Sequence, residues 1–259
     1  MGISKIDKTG MEGVNNFGSK MIITNYRNYK DIDVYFPEYN WVAKNKQYEH
    51  FKKGEIKCVY EPRTFGVGYL GEGKYKTREN GKKTKCYKVW QSMLQRCYDS
   101  KYKEKYPTYN ACEVYESWHN FQNFAHWYEN NYYEIEDEVM CLDKDILFKG
   151  NKIYSPETCV FVPKNINILF TKRNKSRGNL PIGVCYHKQN RTYISACNFG
   201  DGQKYLGCYN TPQEAFEVYK QYKEKLIKEV IDSYEGIIPE PHYSKLKKAM
   251  YNYRVEISD

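Results

Sequence analysis

Asp143 and Asp145, two residues apart, are the side chains in this sequence best suited to chemistry. On a β-strand, residues i and i+2 point to the same side, so both carboxylates would face one way. Paired carboxylates supply the oxygen ligands that Mg²⁺ and Mn²⁺ prefer. A solvated strand edge carries the same pattern, so the spacing alone leaves a cation site and an ordinary surface edge both open.

The segments around these aspartates have the order strand, turn, strand, helix. Residues 141–148 are predicted as a strand, 149–152 as a turn and 159–162 as the returning strand. Pro163 suits the first turn of a short helix that continues to about residue 170. The two aspartates would therefore lie on the first strand of a ββα unit.

Upstream of this unit, the sequence predicts a β-rich module followed by two helices. Residues 1–62 contain a hairpin pattern around a polar turn at 27–30. Apolar residues at helical spacing predict one helix over 86–97. Ser117 is a candidate N-cap for a second helix, which would run from Trp118 to about Asn130.

Downstream, residues 171–178 are basic, contain no acid and are predicted as a linker. Three short β-runs follow at 182–186, 192–197 and 204–209. Thr211 and Glu214 form a capping box with Pro at the first helical position, which predicts a helix packed on this sheet. A further amphipathic helix is expected at 243–254.

The central segment is similar to a phage family of His-Asn-His (HNH) endonucleases. The similarity rests on residues 87–98, Trp118-His-Asn-Phe-Gln-Asn-Phe124, Leu142-Asp-Lys-Asp145 and Tyr154-Ser-Pro-Glu-Thr-Cys159. The family's ββα clamp holds one divalent cation and uses a His as general base on water. By position, the resemblance assigns Asp143 as the metal-binding acid, Lys144 as the general base, Asn167 as the helix ligand and Asn151 as the orienting amide.

The match departs from the family at the general base. A lysine ammonium is protonated at neutral pH unless it is strongly buried, so Lys144 does not replace His directly. Thr158 also stands where the family has Asn. Two interpretations follow: Asp143, Asp145 and Asn167 bind Mg²⁺ or Mn²⁺ while Lys144 stabilises charge at the phosphate, or the clamp is only a structural or DNA-docking element.

The third unit resembles the DNA-binding domain of the plant APETALA and ethylene-response-factor type. The resemblance rests on Gly183-Val184, Tyr193-Ile-Ser-Ala196, Tyr205-Leu-Gly207, Thr211, Glu214-Ala215 and Tyr219. It implies a three-stranded sheet that enters the major groove with a helix behind it. The positions that match the DNA face are Cys185, His187, Asn198, Gln203 and Tyr205. The plant proteins mostly carry Arg and Trp there, so their base preference does not carry over.

Further contacts to DNA are expected from basic and amide side chains. Lys188, Arg191 and Lys204 are candidates for binding phosphates, and Asn198 or Gln203 for pairing with adenine edges. The linker adds four more basic candidates: Lys172, Arg173, Lys175 and Arg177. A sheet-and-helix scaffold that binds no DNA is the alternative for this unit.

Charge and cysteine usage narrow the class of protein. The 259 residues include 41 Lys and Arg against 32 Asp and Glu, a formal net charge of +9, which favours a polyanionic partner. The nine cysteines contain no C-x-x-C pair, so no zinc site is expected. No segment resembles a signal peptide or membrane span, which predicts a cytoplasmic protein, in a bacterial host, with reduced thiols and no membrane partner.

These patterns predict an α+β protein of small modules: 1–62 β-rich, 63–170 HNH-like with its preceding helices, 171–178 linker, 179–235 DNA-binding and 236–259 helical tail. The expected function is a homing or nicking endonuclease that cleaves double-stranded DNA with one Mg²⁺ or Mn²⁺. The alternative is a non-catalytic DNA-binding regulator, or an inhibitor of host defence with a host or phage protein as partner. An RNA-binding module that stacks bases on its tyrosines is a third possibility, but no RNP-like motif is present.

Overall fold

The computed structural model describes residues 7–171, 179–200, 202–257 and 259. Helices and strands are mixed along the chain, which confirms the expected α+β class. Packing divides the chain into two compact units, Met1–His126 and Trp127–Asp259. The finer modular boundaries at residues 62, 170, 178 and 235 remain predictions.

The first unit begins with a four-stranded antiparallel sheet. Its strands are β1 (Glu12–Val14), β2 (Lys20–Asn28), β3 (Asp31–Phe36) and β4 (Trp41–Lys46), adjacent in chain order. The hairpin predicted around residues 27–30 is the β2–β3 pair. Alternate residues such as Met21, Ile23 and Val34 are fully buried, and Phe51 of α1 (Tyr48–Lys52) joins their core.

The remainder of the first unit is mainly helical. Its elements are β5 (Arg78–Glu79), β6 (Lys82–Lys83), α2 (Lys85–Tyr98), α3 (Ser100–Lys105), β7 (Glu113–Val114) and α4 (Phe121–Asn131), which runs into the second unit. The later part of the predicted α2 stripe is buried, and the Trp90 indole donates a hydrogen bond to the Trp118 carbonyl at 2.7 Å. The buried residues are Trp90, Met93, Leu94 and Cys97.

The second predicted helix starts three residues later than expected. A 3-10 turn, Glu116–His119, precedes it, and the Asn120 side chain accepts a hydrogen bond from the Gln122 backbone N–H. Asn120 therefore caps α4, and Ser117 does not. Both residue types are good N-caps, so sequence preference alone did not distinguish them.

The second unit contains two strands and a helix in the expected order, with one further short strand between the two strands that was not predicted. Its elements are β8 (Met140–Asp143), β9 (Ile153–Tyr154), β10 (Val160–Pro163) and α5 (Lys164–Leu169), and β8 pairs antiparallel with β10. The first strand ends at Asp143 rather than at residue 148. The reason is local: the Asp143 side chain bonds backbone N–H groups that would otherwise continue the strand.

The C-terminal half of the second unit is a three-stranded antiparallel sheet with two helices. The elements are β11 (Val184–His187), β12 (Thr192–Phe199), β13 (Gly202–Tyr209), α6 (Pro212–Asp232) and α7 (His242–Asn252). The predicted capping box is formed: the Thr211 hydroxyl accepts from the Glu214 N–H, and the Glu214 carboxylate accepts from the Thr211 N–H.

Helix α6 contributes to two cores. Ala215, Phe216 and Tyr219, near its start, pack with Val184 and Cys197 of the sheet. Near its end, a second group packs with the ββα elements and with α7: Ile227, Val230 and Ile231 contact a core that includes Val160, Val162, Ile166, Leu246 and Met250. The parts of the chain on the two sides of the expected linker therefore share one helix.

Within the described residues, no helix is long and apolar enough to cross a membrane. The nine cysteines all lie in the described part of the chain, and none of them is in a disulfide there. Cys58, Cys97, Cys112, Cys159 and Cys197 are buried, so these thiols serve mainly as small apolar core residues.

Replacing Gly183 with Ala is expected to destabilise the sheet-and-helix unit by about 2–4 kcal/mol. Gly183 has φ 78°, and an added Cβ would overlap the ring of Tyr219. Gly200→Ala is the matched control, because Gly200 has φ 61° but open space around the Cβ position, so only backbone strain of about 1 kcal/mol applies. Urea unfolding measures both, and equal losses would contradict the packing role of Gly183.

Candidate cleavage site and nucleic-acid interface

Asp143 ends β8 and organises the turn that follows it. Its Oδ1 accepts hydrogen bonds from the backbone N–H groups of Asp145 at 2.8 Å and Ile146 at 2.7 Å. An aspartate that bonds the backbone two residues ahead commonly starts a turn. The two carboxylates are therefore brought together by a turn, and not by alternation along one strand as expected.

Lys144 is held inside the same turn. Its Nζ donates to Asp145 Oδ2 at 3.0 Å and to the Asn151 carbonyl at 3.1 Å, and it lies 5.8 Å from the centroid of the Tyr154 ring. The Lys144 side chain is 8% exposed, whereas that of Asp145 is 41% exposed. All three neighbours stabilise a positively charged ammonium, so the arrangement suits a fixed cation better than a neutral base.

Asn151 closes the turn from the other side. Its Nδ2 donates to the carbonyls of Lys144 and Ile153, both at 2.7 Å, and its Oδ1 accepts from the Ile153 N–H at 3.3 Å. The amide expected to orient a general base therefore holds the backbone beside Lys144. All four expected catalytic residues therefore lie within one hydrogen-bonded turn: Asp143, Lys144, Asp145 and Asn151.

Burial raises the pKa of Asp143 to about 6, and the neighbouring Asp145 carboxylate adds to the rise. The two carboxylates therefore repel each other at neutral pH, which is a common property of cation sites. Burial also raises the pKa of the nearby Cys159 thiol to about 12. Cys159 stays protonated at neutral pH and is not suited to bind a metal as a thiolate.

Asp143 and Asp145 are the side chains that could hold a divalent cation. Asn167, the expected third ligand, lies in α5, which packs against β8, but no hydrogen bond between described residues joins its side chain to Asp143. In the described part of the chain, no group of three or more His, Cys, Asp and Glu converges. A cation here would take two carboxylates plus amide, water or phosphate oxygens, as Mg²⁺ commonly does.

The three-stranded sheet has one face covered by α6 and one face open. Val184, Ser195 and Cys197 are buried towards the helix. Because side chains alternate and the strand register is known, the opposite face carries all five positions expected to contact DNA: Cys185, His187, Asn198, Gln203 and Tyr205. Asn198 pairs directly with Gln203, and Tyr205 is 60% exposed beside Ala196.

The basic residues expected to contact phosphates do not all lie on the open face of the sheet. Lys188 and Arg191 are exposed in the β11–β12 turn, at the end of the sheet where His187 lies. Lys204 is exposed but pairs with Cys197, so its side chain belongs to the face that α6 covers. The linker residues Lys172, Arg173, Lys175 and Arg177 lie outside the described residues.

Two neighbours of the turn were not identified from the sequence. Tyr154 is 2% exposed and offers its ring to Lys144, and Cys159 lies buried near Asp143. Cys159 is predicted as the first residue of the returning strand, and Tyr154 enters only as one end of the HNH-like segment Tyr154-Ser-Pro-Glu-Thr-Cys159. No local signal distinguishes an aromatic residue that contacts an ammonium from one that only fills a core.

Comparison of the chain with models of protein families, with curated proteins and with solved structures found no match. The site therefore has to be interpreted from its own geometry.

Asp143→Ala is expected to destabilise the protein by about 1–3 kcal/mol, because two backbone N–H groups lose their acceptor. Asp143→Asn keeps Oδ1 as an acceptor and is the matched control. Since the folded-state pKa is raised from 3.8 to about 6, ionisation opposes folding, and wild type should lose stability relative to Asp143→Asn as the pH rises from 4 to 6.

The size of this pH effect is expected to be on the order of 1 kcal/mol, since the partly exposed carboxylate is screened by solvent. Thermal unfolding in buffer with a chelator measures it. A wild type that gains stability relative to Asp143→Asn over this pH range would show that the carboxylate is stabilised in the fold, contrary to the burial argument.

Proposed function

We propose that this chain is a protein that binds double-stranded DNA through the open face of the β11–β13 sheet. The observation that carries the proposal is the polar strip on that face, where His187, Asn198, Gln203 and Tyr205 remain available to a ligand. Asn and Gln amides can donate to and accept from adenine edges in the major groove. The resemblance to the APETALA and ethylene-response-factor domain also implies that this face of the sheet contacts DNA.

The dimensions of the strip agree with a duplex. From Thr192 to Asn198 the strand rises by roughly 20 Å, at about 3.3 Å per residue. This length corresponds to about six base pairs at ~3.4 Å each. Lys188 and Arg191 lie at one end of the strip, where they would meet a phosphate backbone while the central side chains meet base edges.

The second part of the proposal concerns the turn after β8, which we infer to be an HNH-like cleavage site. Asp143 and Asp145 would hold Mg²⁺ or Mn²⁺, and the cation would supply charge neutralisation at the phosphate and a more acidic bound water. Lys144 would stabilise negative charge on the phosphate or the leaving oxygen. Its contacts with Asp145 and the Asn151 carbonyl support a charged role over that of a base.

A non-catalytic docking role is the alternative. The observation in its favour is that the Lys144 ammonium already neutralises Asp145 at 3.0 Å. An internal cation can replace a metal in holding carboxylates together, and the turn would then only support the fold or contact DNA. Metal-dependent cleavage decides between the two functions.

Asp143→Asn is expected to lower metal-dependent nicking of supercoiled plasmid at least 100-fold, while affinity for DNA stays within about 2-fold. The substitution removes charge but keeps the acceptor that holds the turn. Lys144→Arg should retain more activity than Lys144→Ala, because Arg keeps the positive charge. Gel analysis with Mg²⁺ or Mn²⁺, and with chelator, measures the activity.

Thermal unfolding of each variant serves as the control for loss of fold. If the wild type nicks no DNA that it binds, with either metal, the cleavage proposal is wrong and the docking role remains. Nicking that persists in Asp143→Asn would show that Asp143 is not required for cleavage.

The double substitution of Asn198 and Gln203 by Ala is expected to reduce discrimination between a selected duplex and random duplex by about 10- to 100-fold. Asn110→Ala with Gln221→Ala is the matched control, because it removes one exposed Asn and one exposed Gln from outside strands β11–β13. Fluorescence anisotropy on both duplexes measures the ratio. Unchanged discrimination in the first variant would exclude direct base contacts by this pair.

A further inference from the structure

A cavity of the second unit lies directly beside the turn that carries Asp143 and Asp145. It has a volume of about 570 Å³. One wall is formed by residues 146–149, and the other by α7 and the residues after it. Ile146, whose N–H bonds Asp143, is itself part of the wall. The cavity and the candidate cleavage site therefore share the turn that follows β8.

Basic side chains dominate the polar lining of this cleft. They are Lys149, Lys245, Lys248 and Arg254, against one lining acid, Glu256. Lys149 is already neutralised by Asp259 Oδ2 at 2.8 Å and Glu256 Oε2 at 3.3 Å. The Arg254 guanidinium donates to the backbone carbonyls of Tyr251 and Tyr253, which fix its position without cancelling its charge.

The lysines of α7 fall into two groups. Lys247 pairs with Asp232 at 3.2 Å and Glu235 at 3.8 Å. Lys245 and Lys248 are exposed at the cleft, and in the described chain no carboxylate lies within ion-pair distance of either. They are three residues apart on a helix, so their Cβ atoms are about 5–6 Å apart on one face. Two uncompensated ammonium groups on one wall suit a ligand with successive negative charges.

The cleft is electrostatically connected to the aspartates. Burial and the Asp259 carboxylate raise the pKa of Tyr253, which lines the cleft, and Asp145 adds to this rise. The charge of Asp145 therefore acts within the cleft, where it opposes a polyanion unless Lys144 or a cation neutralises it. Phe148, 56% exposed, adds an apolar surface at the same wall.

We propose that this cleft binds the phosphate backbone of double-stranded DNA, with Lys245 and Lys248 as its main contacts. The inference rests on the proposed DNA-binding function and adds to it a second contact surface, on a helix that the sequence indicates only as a tail. The cleft runs from the turn with the aspartates along α7, so a strand bound there passes beside the candidate cleavage site. An anionic lipid surface could also bind Lys245 and Lys248, but lipid binding would give no role to the turn that carries Asp143 and Asp145.

The test is a salt titration of DNA binding with the full chain. Lys245→Gln with Lys248→Gln should make the slope of log affinity against log salt shallower by about 1–2 between roughly 50 and 200 mM salt. Binding at about 100 mM salt should weaken at least 5-fold. The control, Lys52→Gln with Lys53→Gln, removes the same two charges from lysines that pair with Glu49, and should change binding less than 2-fold.

Each result has a distinct meaning. A wild type that binds no duplex at any salt would reject the proposed function and the cleft with it. If the wild type binds and the Lys245/Lys248 variant has the same slope and affinity, or weakens no more than the control, the cleft proposal alone is wrong. Loss of binding to phosphatidylserine vesicles with unchanged DNA binding would overturn it in favour of a lipid surface. Thermal unfolding checks that all variants are folded.

Discussion

The packing of α6 on two cores is the constraint on which the second unit depends. The start of the helix covers the three-stranded sheet, and its end covers the ββα elements. From Ala215 to Val230 the helix rises by about 22 Å, at ~1.5 Å per residue. Because each end is fixed by buried apolar side chains, the sheet and the turn after β8 are held at a defined separation.

The same helix contains the least expected buried charge of the unit. Lys223 lies between its two apolar groups and is 7% exposed, and burial lowers the pKa of its ammonium. Burial of an ammonium costs free energy unless it is hydrogen-bonded or paired. In the turn, by contrast, Lys144 is buried with a carboxylate and a carbonyl as partners. Lys144 therefore has direct partners for its charge, whereas for Lys223 the effect of burial is a lowered pKa.

Much of the fold followed from local patterns. The β2–β3 hairpin, the buried stripe of α2, the capping box of α6 and the order of the ββα elements were all predicted, because each depends on periodicity or on turn and cap residues close in sequence. The end of β8 was not predicted. Asp143 competes with the strand for backbone N–H groups, and this competition is decided by side-chain geometry, which composition does not reveal.

The sequence by itself determined which residue types are available: two aspartates around a lysine, and five positions that the resemblance to the APETALA-type domain assigns to one face of a sheet. The first relation spans three residues, and the second follows the order of short motifs along one segment. Only the tertiary structure decided that Lys144 bonds Asp145 and Asn151, that Lys204 lies on the covered face, and that α7 completes a basic cleft beside the turn. These relations depend on burial and on contacts between segments up to about a hundred residues apart, such as Lys149 with Asp259, which no local pattern encodes.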